Sequence, residues 1–255
     1  MDKNELTIVF YEHPIAWEDP EHNYGLVESA FQNLPVRADI LVVPETFTTG
    51  FSDNMAAMAE EPEGRTFRFA QQMARQYDAL FVGTWTVRTD AGVFNRLHWV
   101  RPDGTYGFYD KAHTFRVSSE ASQIDRGRRR EIFEWRGWRI KPAVCYDLRF
   151  PKWLRNSNPF DYDLLLLCAN WPASRREAWS TLLRARAIEN EAYVVGVNRT
   201  GVDAYGSAYS GDSAAINYKG MQIDEVVGSN LRVATLELDR LQEFRKKWPF
   251  NLDFD

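Results

Sequence analysis

Three polar residues stand where apolar strand patterns run out: Glu45 after Leu41-Val42-Val43-Pro44, Lys111 within Tyr109-Asp110-Lys111-Ala112-His113, and Cys145 after Lys141-Pro142-Ala143-Val144. A thiolate is a far stronger nucleophile than water, but a free cysteine with a pKa near ~8.5 is mostly protonated at neutral pH. Attack by Cys145 on a carbonyl therefore needs a base. A carboxylate such as Glu45 can take the thiol proton, return it to a departing amine and then activate water, and burial beside other charge would raise its pKa toward the working range. A fixed ammonium such as Lys111 can hold the oxyanion of a tetrahedral intermediate, with the backbone N–H of Tyr146 as second donor; such donors contribute ~3 kcal/mol each. Each residue alone has a plainer reading. Glu45 can be a strand-end cap or ion-pair partner, Lys111 a solvated charge, and Cys145 a small core residue.

The elements that must position these groups are legible as alternating patterns. Short apolar runs rich in branched residues predict strands at 6–11, 40–43, 80–87, 96–101, 138–144, 164–168, 193–197 and 232–236. Pro102-Asp103-Gly104 between two strand patterns is a hairpin turn, since proline presets one backbone angle and glycine permits another. Helices are predicted over 21–33, 63–77 and 175–190, the last with Ala178, Leu182, Ala185 and Ile188 recurring at helical spacing toward the sheet. The alternation implies an α/β layered fold in which strand ends carry functional loops. Pro44 stops a ladder immediately before Glu45.

Composition narrows the function. With 255 residues and 44% hydrophobic content the chain can bury a large core as one domain, 1–255, with no linker or repeat. A formal charge of -5 argues against general affinity for nucleic acid, which depends on a basic face; the run Arg126, Arg128, Arg129 and Arg130 is read as a solvated loop. A small organic substrate fits better. No segment approaches the ~20 apolar residues of a membrane span, and the start of the chain lacks the pattern of a secretory signal. Two cysteines, Cys145 and Cys168, are too few for a disulfide framework, so free thiols in a reducing cytoplasm are expected. His13, His22, His98 and His113 have no metal-ligand spacing, and no phosphate-cradling glycine loop is present, so neither metal nor cofactor is expected.

Pro44-Glu45, Asp110-Lys111 and Val144-Cys145-Tyr146-Asp147-Leu148-Arg149-Phe150-Pro151, in that order and each at a strand end, resemble the nitrilase superfamily of carbon-nitrogen hydrolases. The resemblance continues through Asn170-Trp171-Pro172, the helix segment 184–190 and Gly211-Asp212-Ser213, and within the superfamily it is nearest to the ω-amidase branch. It implies an α-β-β-α sandwich, pairing as a homodimer, and hydrolysis of the terminal amide of α-keto-acid amides such as α-ketoglutaramate and α-ketosuccinamate. It also implies a second glutamate shortly after the lysine, for which Glu120 is the matching residue, with the role of orienting Lys111 and Cys145 and binding the amide nitrogen.

Arg149, in the turn after the thiol, can bind a substrate carboxylate as a bidentate pair or brace the turn through backbone carbonyls. Trp171 follows a strand at the same end as Cys145 and can wall the pocket, whereas Cys168, ending an apolar strand, belongs to the core. The shared Glu, Lys and Cys do not separate an ω-amidase from an N-carbamoyl hydrolase, an aliphatic amidase or a nitrilase. A non-catalytic scaffold on the same fold is the reading from another class.

Overall fold

The computed structural model describes residues 4–253. Along the chain run β1 (Glu5–Tyr11), α1 (Pro20–Phe31), β2 (Ile40–Val42), α2 (Arg65–Tyr77), β3 (Leu80–Thr89), β4 (Gly92–Val100) and β5 (Tyr106–Asp110). Next come α3 (Glu120–Gln123), β6 (Phe133–Trp135), β7 (Trp138–Val144), α4 (Pro151–Leu154), β8 (Leu164–Ala169), α5 (Arg176–Glu189) and β9 (Tyr193–Asn198). The last are β10 (Thr200–Val202), β11 (Ala208–Ser210), β12 (Ala214–Ile216), β13 (Glu225–Gly228), β14 (Leu231–Glu237) and α6 (Leu238–Lys247). Two short 3₁₀ turns matter for the site, Cys145–Arg149 and Ala173–Arg175.

These strands form a seven-stranded sheet ordered β13-β14-β1-β2-β3-β4-β5, a five-stranded sheet ordered β12-β9-β8-β7-β6, and the ribbon β10-β11. The central pairs β1-β2-β3 and β7-β8-β9 are parallel. Alternation along β1 shows the layering. Leu6, Ile8 and Phe10 enter the core shared with the second sheet, while Val9 and Tyr11 pack with Tyr24, Val27 and Phe31 of α1 and Phe67, Ala70 and Met73 of α2. Both faces of the central strands are thus buried, which is why they read as unbroken apolar runs. Each fully buried Leu or Ile contributes roughly 1.5–3 kcal/mol. On the other sheet α5 lies so close to β9 that a Cβ on Gly196 would sit 2.7 Å from Leu183 Cδ2. The result is an α-β-β-α sandwich.

The face of α5 differs from the one expected from its spacing. Trp179, Leu183, Arg186 and Ala187 are buried, whereas Ala178, Leu182 and Ala185 are only half-buried and Ile188 is 54% exposed. The larger Trp179 and Leu183 draw the helix round, and Arg186 can turn inward because its Nη2 donates to Leu148 O at 2.7 Å. A count of apolar residues alone places an arginine outside. Elements not anticipated are the short strands β6 and β10 to β13 and the helices α3 and α6. Two arginines of the arginine-rich loop anchor it by side-chain hydrogen bonds: Arg126 Nε donates to Ala112 O (2.8 Å) and Arg130 Nη2 to Lys152 O (2.7 Å).

Candidate active site

In a sheet with parallel strands the carboxyl ends share one edge, and loops leaving that edge converge. Glu45 follows β2, Cys145 follows β7 and Asn170 follows β8. Lys111 follows β5, which is antiparallel to β4 and therefore runs with β3. Cys145 opens its 3₁₀ turn at φ +43°, a left-handed conformation that non-glycine residues adopt rarely. Such a backbone costs about 1–3 kcal/mol and persists where surrounding structure enforces it. Here it turns the chain from strand to helix in one residue, as a sharp nucleophile-bearing bend does.

The charged groups meet at hydrogen-bond distance. Lys111 Nζ donates to Glu45 Oε1 (2.8 Å) and to Glu120 Oε1 and Oε2 (2.8 and 3.0 Å). Glu45 also accepts from Asn95 Nδ2 (2.8 Å) and from the backbone N–H of Asn170 (2.8 Å), and Glu120 from the N–H of Phe115 (2.6 Å). The thiol of Cys145 points at Asn170 O, 3.7 Å away. Glu45, Glu120 and Lys111 are all at most 1% exposed.

Burial and charge set the protonation states. Burial raises the pKa of Glu45 above the ordinary carboxylate value against the pull of Lys111, and Glu120 raises it further. Burial and then Glu45 push the Cys145 thiol well up, with Lys111 opposing. For Lys111 burial favours the neutral amine, but Glu120 and Glu45 outweigh it and hold the amine charged. The resting centre is a protonated thiol, a fixed ammonium and a carboxylate of raised basicity. That combination suits proton transfer from sulfur to Glu45 as sulfur attacks.

A second network joins the segments carrying the thiol and the amine. Asp147, buried two residues after Cys145, accepts from Tyr109 Oη (2.8 Å), the N–H of Val144 (3.0 Å) and the N–H of His113 (3.0 Å), and its Oδ1 lies 2.7 Å from His113 Nδ1. Tyr109 Oη in turn accepts from Trp153 Nε1 (3.0 Å) and Ala112 N (3.2 Å). The turn after the thiol is braced by Arg186 through Leu148 O.

The pocket above these groups has a volume of about 270 Å³, small among ligand sites. Lys111, Cys145, Tyr146, Arg149, Asn170 and Trp171 line it. Glu45 and Glu120 are not on its wall and stand behind Lys111. Glu120, expected to orient Lys111 and Cys145 and to meet the substrate amide, has both oxygens on Lys111 Nζ and Oε2 also on the N–H of Phe115. Arg149 lays its guanidinium over Trp171, 4.9 Å from the ring centroid, while Arg186 donates to Leu148 O in the same turn. Cys168 is fully buried in β8 with its thiol pKa raised by burial.

Sequence reasoning passed over Asn95, whose amide bridges Glu45 and Glu120 (2.8 and 3.3 Å), and gave Asn170 no role. The available signal was an asparagine amid the apolar residues of β4. Among the described residues no group of His, Cys, Asp or Glu is arranged to hold a metal ion.

A sandwich of this layering with a thiol, an amine and carboxylates converging at its strand ends defines a class of hydrolases acting on carbon–nitrogen bonds. The chain belongs to the carbon-nitrogen hydrolase family, whose profile matches residues 8–246. It is 42% identical to the omega-amidase YafV of Yersinia enterocolitica over 252 residues, 98% of this chain and 97% of that one. It is 30% identical to the 2-oxoglutaramate amidase of Bacillus subtilis over 93% and 92% of the two chains. Among solved structures it superposes with TM-score 0.95 on XC1258 from Xanthomonas campestris, a CN-hydrolase superfamily protein with an arsenic adduct in its active site, at 41% identity and 99% and 98% coverage. Nit3 of Saccharomyces cerevisiae, a nitrilase-superfamily member, shares the fold with TM-score 0.84 at 20% identity, covering 97% and 95%.

Proposed function

We propose that this chain is an ω-amidase that releases ammonia from the terminal amide of a small α-keto-acid amide through a thioester on Cys145. The observation that carries the reading is Lys111 Nζ, clasped by Glu45 and Glu120 beside Cys145 at the floor of a small pocket. As sulfur bonds to the amide carbon, the thiol proton passes to Glu45, and the oxyanion is held by Lys111 and the N–H of Tyr146. Collapse breaks the C–N bond, and ammonia leaves with the proton from Glu45. Water then attacks the thioester, giving its proton to Glu45, and the acid departs as the thiol reforms. Tyr146 N lies in the first turn after Cys145, where N–H groups lack partners within the helix.

The relatives named for ω-amidase and 2-oxoglutaramate amidase activity support the substrate class. Arg149, at the pocket with its guanidinium over Trp171, supplies a partner for the carboxylate of that substrate. We further propose a homodimer acting in the cytoplasm. The two free cysteines favour a reducing compartment, and among the described residues no helix is long and apolar enough to cross a membrane. Ile188, Trp248, Phe250 and Leu252, each about half exposed or more, offer apolar surface for pairing.

Ammonia release is measured with α-ketoglutaramate, α-ketosuccinamate, glutamine, asparagine, an N-carbamoyl amino acid and a nitrile. The keto-acid amides should turn over fastest. Preference for the carbamoyl compound or the nitrile would move the chain to another branch, and no turnover of any would leave a scaffold.

A further inference from the structure

We infer that Arg175 determines specificity alongside Arg149, the two guanidiniums together seating the substrate's carboxylate and its neighbouring keto oxygen; this rests on the ω-amide reading above. Arg175 closes the 3₁₀ turn before α5 and lines the same pocket as Cys145 and Arg149. Its guanidinium lies over Phe115, 5.3 Å from the centroid, as that of Arg149 lies over Trp171. A guanidinium attracted to an aromatic ring spends no N–H donor on that contact and keeps them available for a planar anion. Among the described residues neither arginine is paired with a carboxylate, whereas Arg176, next in the chain, is held 2.5 Å from Asp212.

The two arginines are tied to one another's supports. Trp171 Nε1, beneath Arg149, donates to the carbonyl of Arg175 (2.9 Å), and Arg175 N donates to Pro172 O (3.0 Å). The acids of the pocket are already engaged. Asp203 accepts from the N–H groups of Tyr205 and Ser207 (2.9 and 2.8 Å) and from Tyr209 Oη (2.9 Å), while Asp53 accepts from Ser119 Oγ. These acids repel a substrate carboxylate toward the two cations.

The pocket is therefore polarised. Lys111 and Cys145 are buried at its floor, and Arg149 and Arg175 are exposed to water at its mouth. A molecule with an amide at one end and an anion at the other matches that axis. An α-keto carboxylate presents three oxygens, more than the two that one guanidinium fork engages. A second guanidinium distinguishes it from a plain ω-amide acid.

The test compares kcat/KM for 2-oxoglutaramate and for pentanamide, a neutral amide of equal chain length, in wild type, Arg149→Met, Arg175→Met and Arg176→Met. Methionine keeps an apolar stem over the ring and removes the charge. Arg175→Met should lower the charged-to-neutral ratio ~10- to 100-fold, the range expected for loss of hydrogen bonds to a charged group. Competitive inhibition by the product 2-oxoglutarate should weaken in parallel, and Arg175→Lys should recover part of both. Arg176→Met should keep the wild-type ratio. Arg175→Met with wild-type ratio and inhibition, while Arg149→Met loses them, overturns the role of Arg175. So does an equal loss on both substrates accompanied by slower alkylation of Cys145 by iodoacetamide, which marks a structural role. A wild-type enzyme indifferent to the carboxylate sinks the ω-amide reading itself, whatever Arg175 does.

Discussion

Two cysteines of one chain have opposite surroundings, and substitution separates them. Cys145 opens a turn at φ +43°, lines the pocket and is coupled electrostatically to Glu45 and Lys111. Cys168 is enclosed in β8 among apolar neighbours. Cys145→Ala should abolish ammonia release with little change in melting temperature, while Cys168→Ala should stay active; the reverse pattern would reassign the nucleophile. Glu45→Gln should lower kcat at least ~10²-fold, since it removes the proposed proton carrier, and should slow alkylation of Cys145 by iodoacetamide. An unchanged alkylation rate would mean that Glu45 is not the base for this thiol. Because burial raises the pKa of Glu45, and the carboxylate form is the one that accepts the proton, the acid limb of the pH profile of kcat/KM should lie above the ordinary glutamate value of ~4.3. A limb at or below that value would place the controlling group elsewhere.

At the scale of elements, the site depends on two loops from different sheets being held in register. Tyr109 is the next-to-last residue of β5 in the first sheet and Asp147 lies in the turn leaving the second, and their 2.8 Å hydrogen bond links the Lys111 and Cys145 segments. Tyr109→Phe keeps the ring and deletes the hydroxyl that also serves Trp153 and Ala112. It should cost ~1–3 kcal/mol of stability, because it leaves buried polar groups unpaired, and lower kcat more than it raises KM. A variant with wild-type kcat would show that the link is structural only. Neither partner of this link announces itself in the sequence, because the pairing depends on how two sheets face each other. What was legible follows the same logic. The central parallel strands are apolar on both faces and read as continuous runs; Glu45 and Cys145 stand out as polar residues beyond their ends, and Lys111 beyond the edge strand β5. Strands β10 to β13 are three or four residues long and lack such a run. Helix α6 buries only Leu241 and Arg245 among many charges, so its apolar stripe is too thin to see. Asn95 escaped because a mid-strand amide makes sense only beside the two carboxylates that it bridges.

Across the whole molecule, enclosing both sheets between helices leaves two histidines with no room to charge. His13 and His98 are each 0% exposed, and His98 stacks on Trp85 with ring centroids 3.8 Å apart and planes 3° from parallel. Burial, with a lesser contribution from Arg199, lowers the pKa of His13 to about 3. Burial and then Arg96 carry His98 well below its ordinary value. Both histidines are neutral in the folded protein and regain an ordinary pKa of ~6.5 when it unfolds. The unfolded state therefore binds more protons below that value, so the stability from these groups is present above pH ~6.5 and is lost as pH falls toward their folded values. Glu45, whose folded pKa is raised, works the other way, gaining stability as pH falls through its folded value, so the histidine contribution is isolated by substitution. Each histidine that protonates only on unfolding adds up to about 1.4 kcal/mol per pH unit to the slope of unfolding free energy against pH. In urea titrations between pH 5 and 6, with a reference at pH 7, His98→Gln should have lower stability at pH 7 through lost packing on Trp85. Its slope should nevertheless be shallower than that of wild type by close to one proton. His13→Gln should do the same independently, and the double variant should lose close to two protons of slope. A wild-type slope in either single variant would show that the histidine it replaces is charged inside the fold.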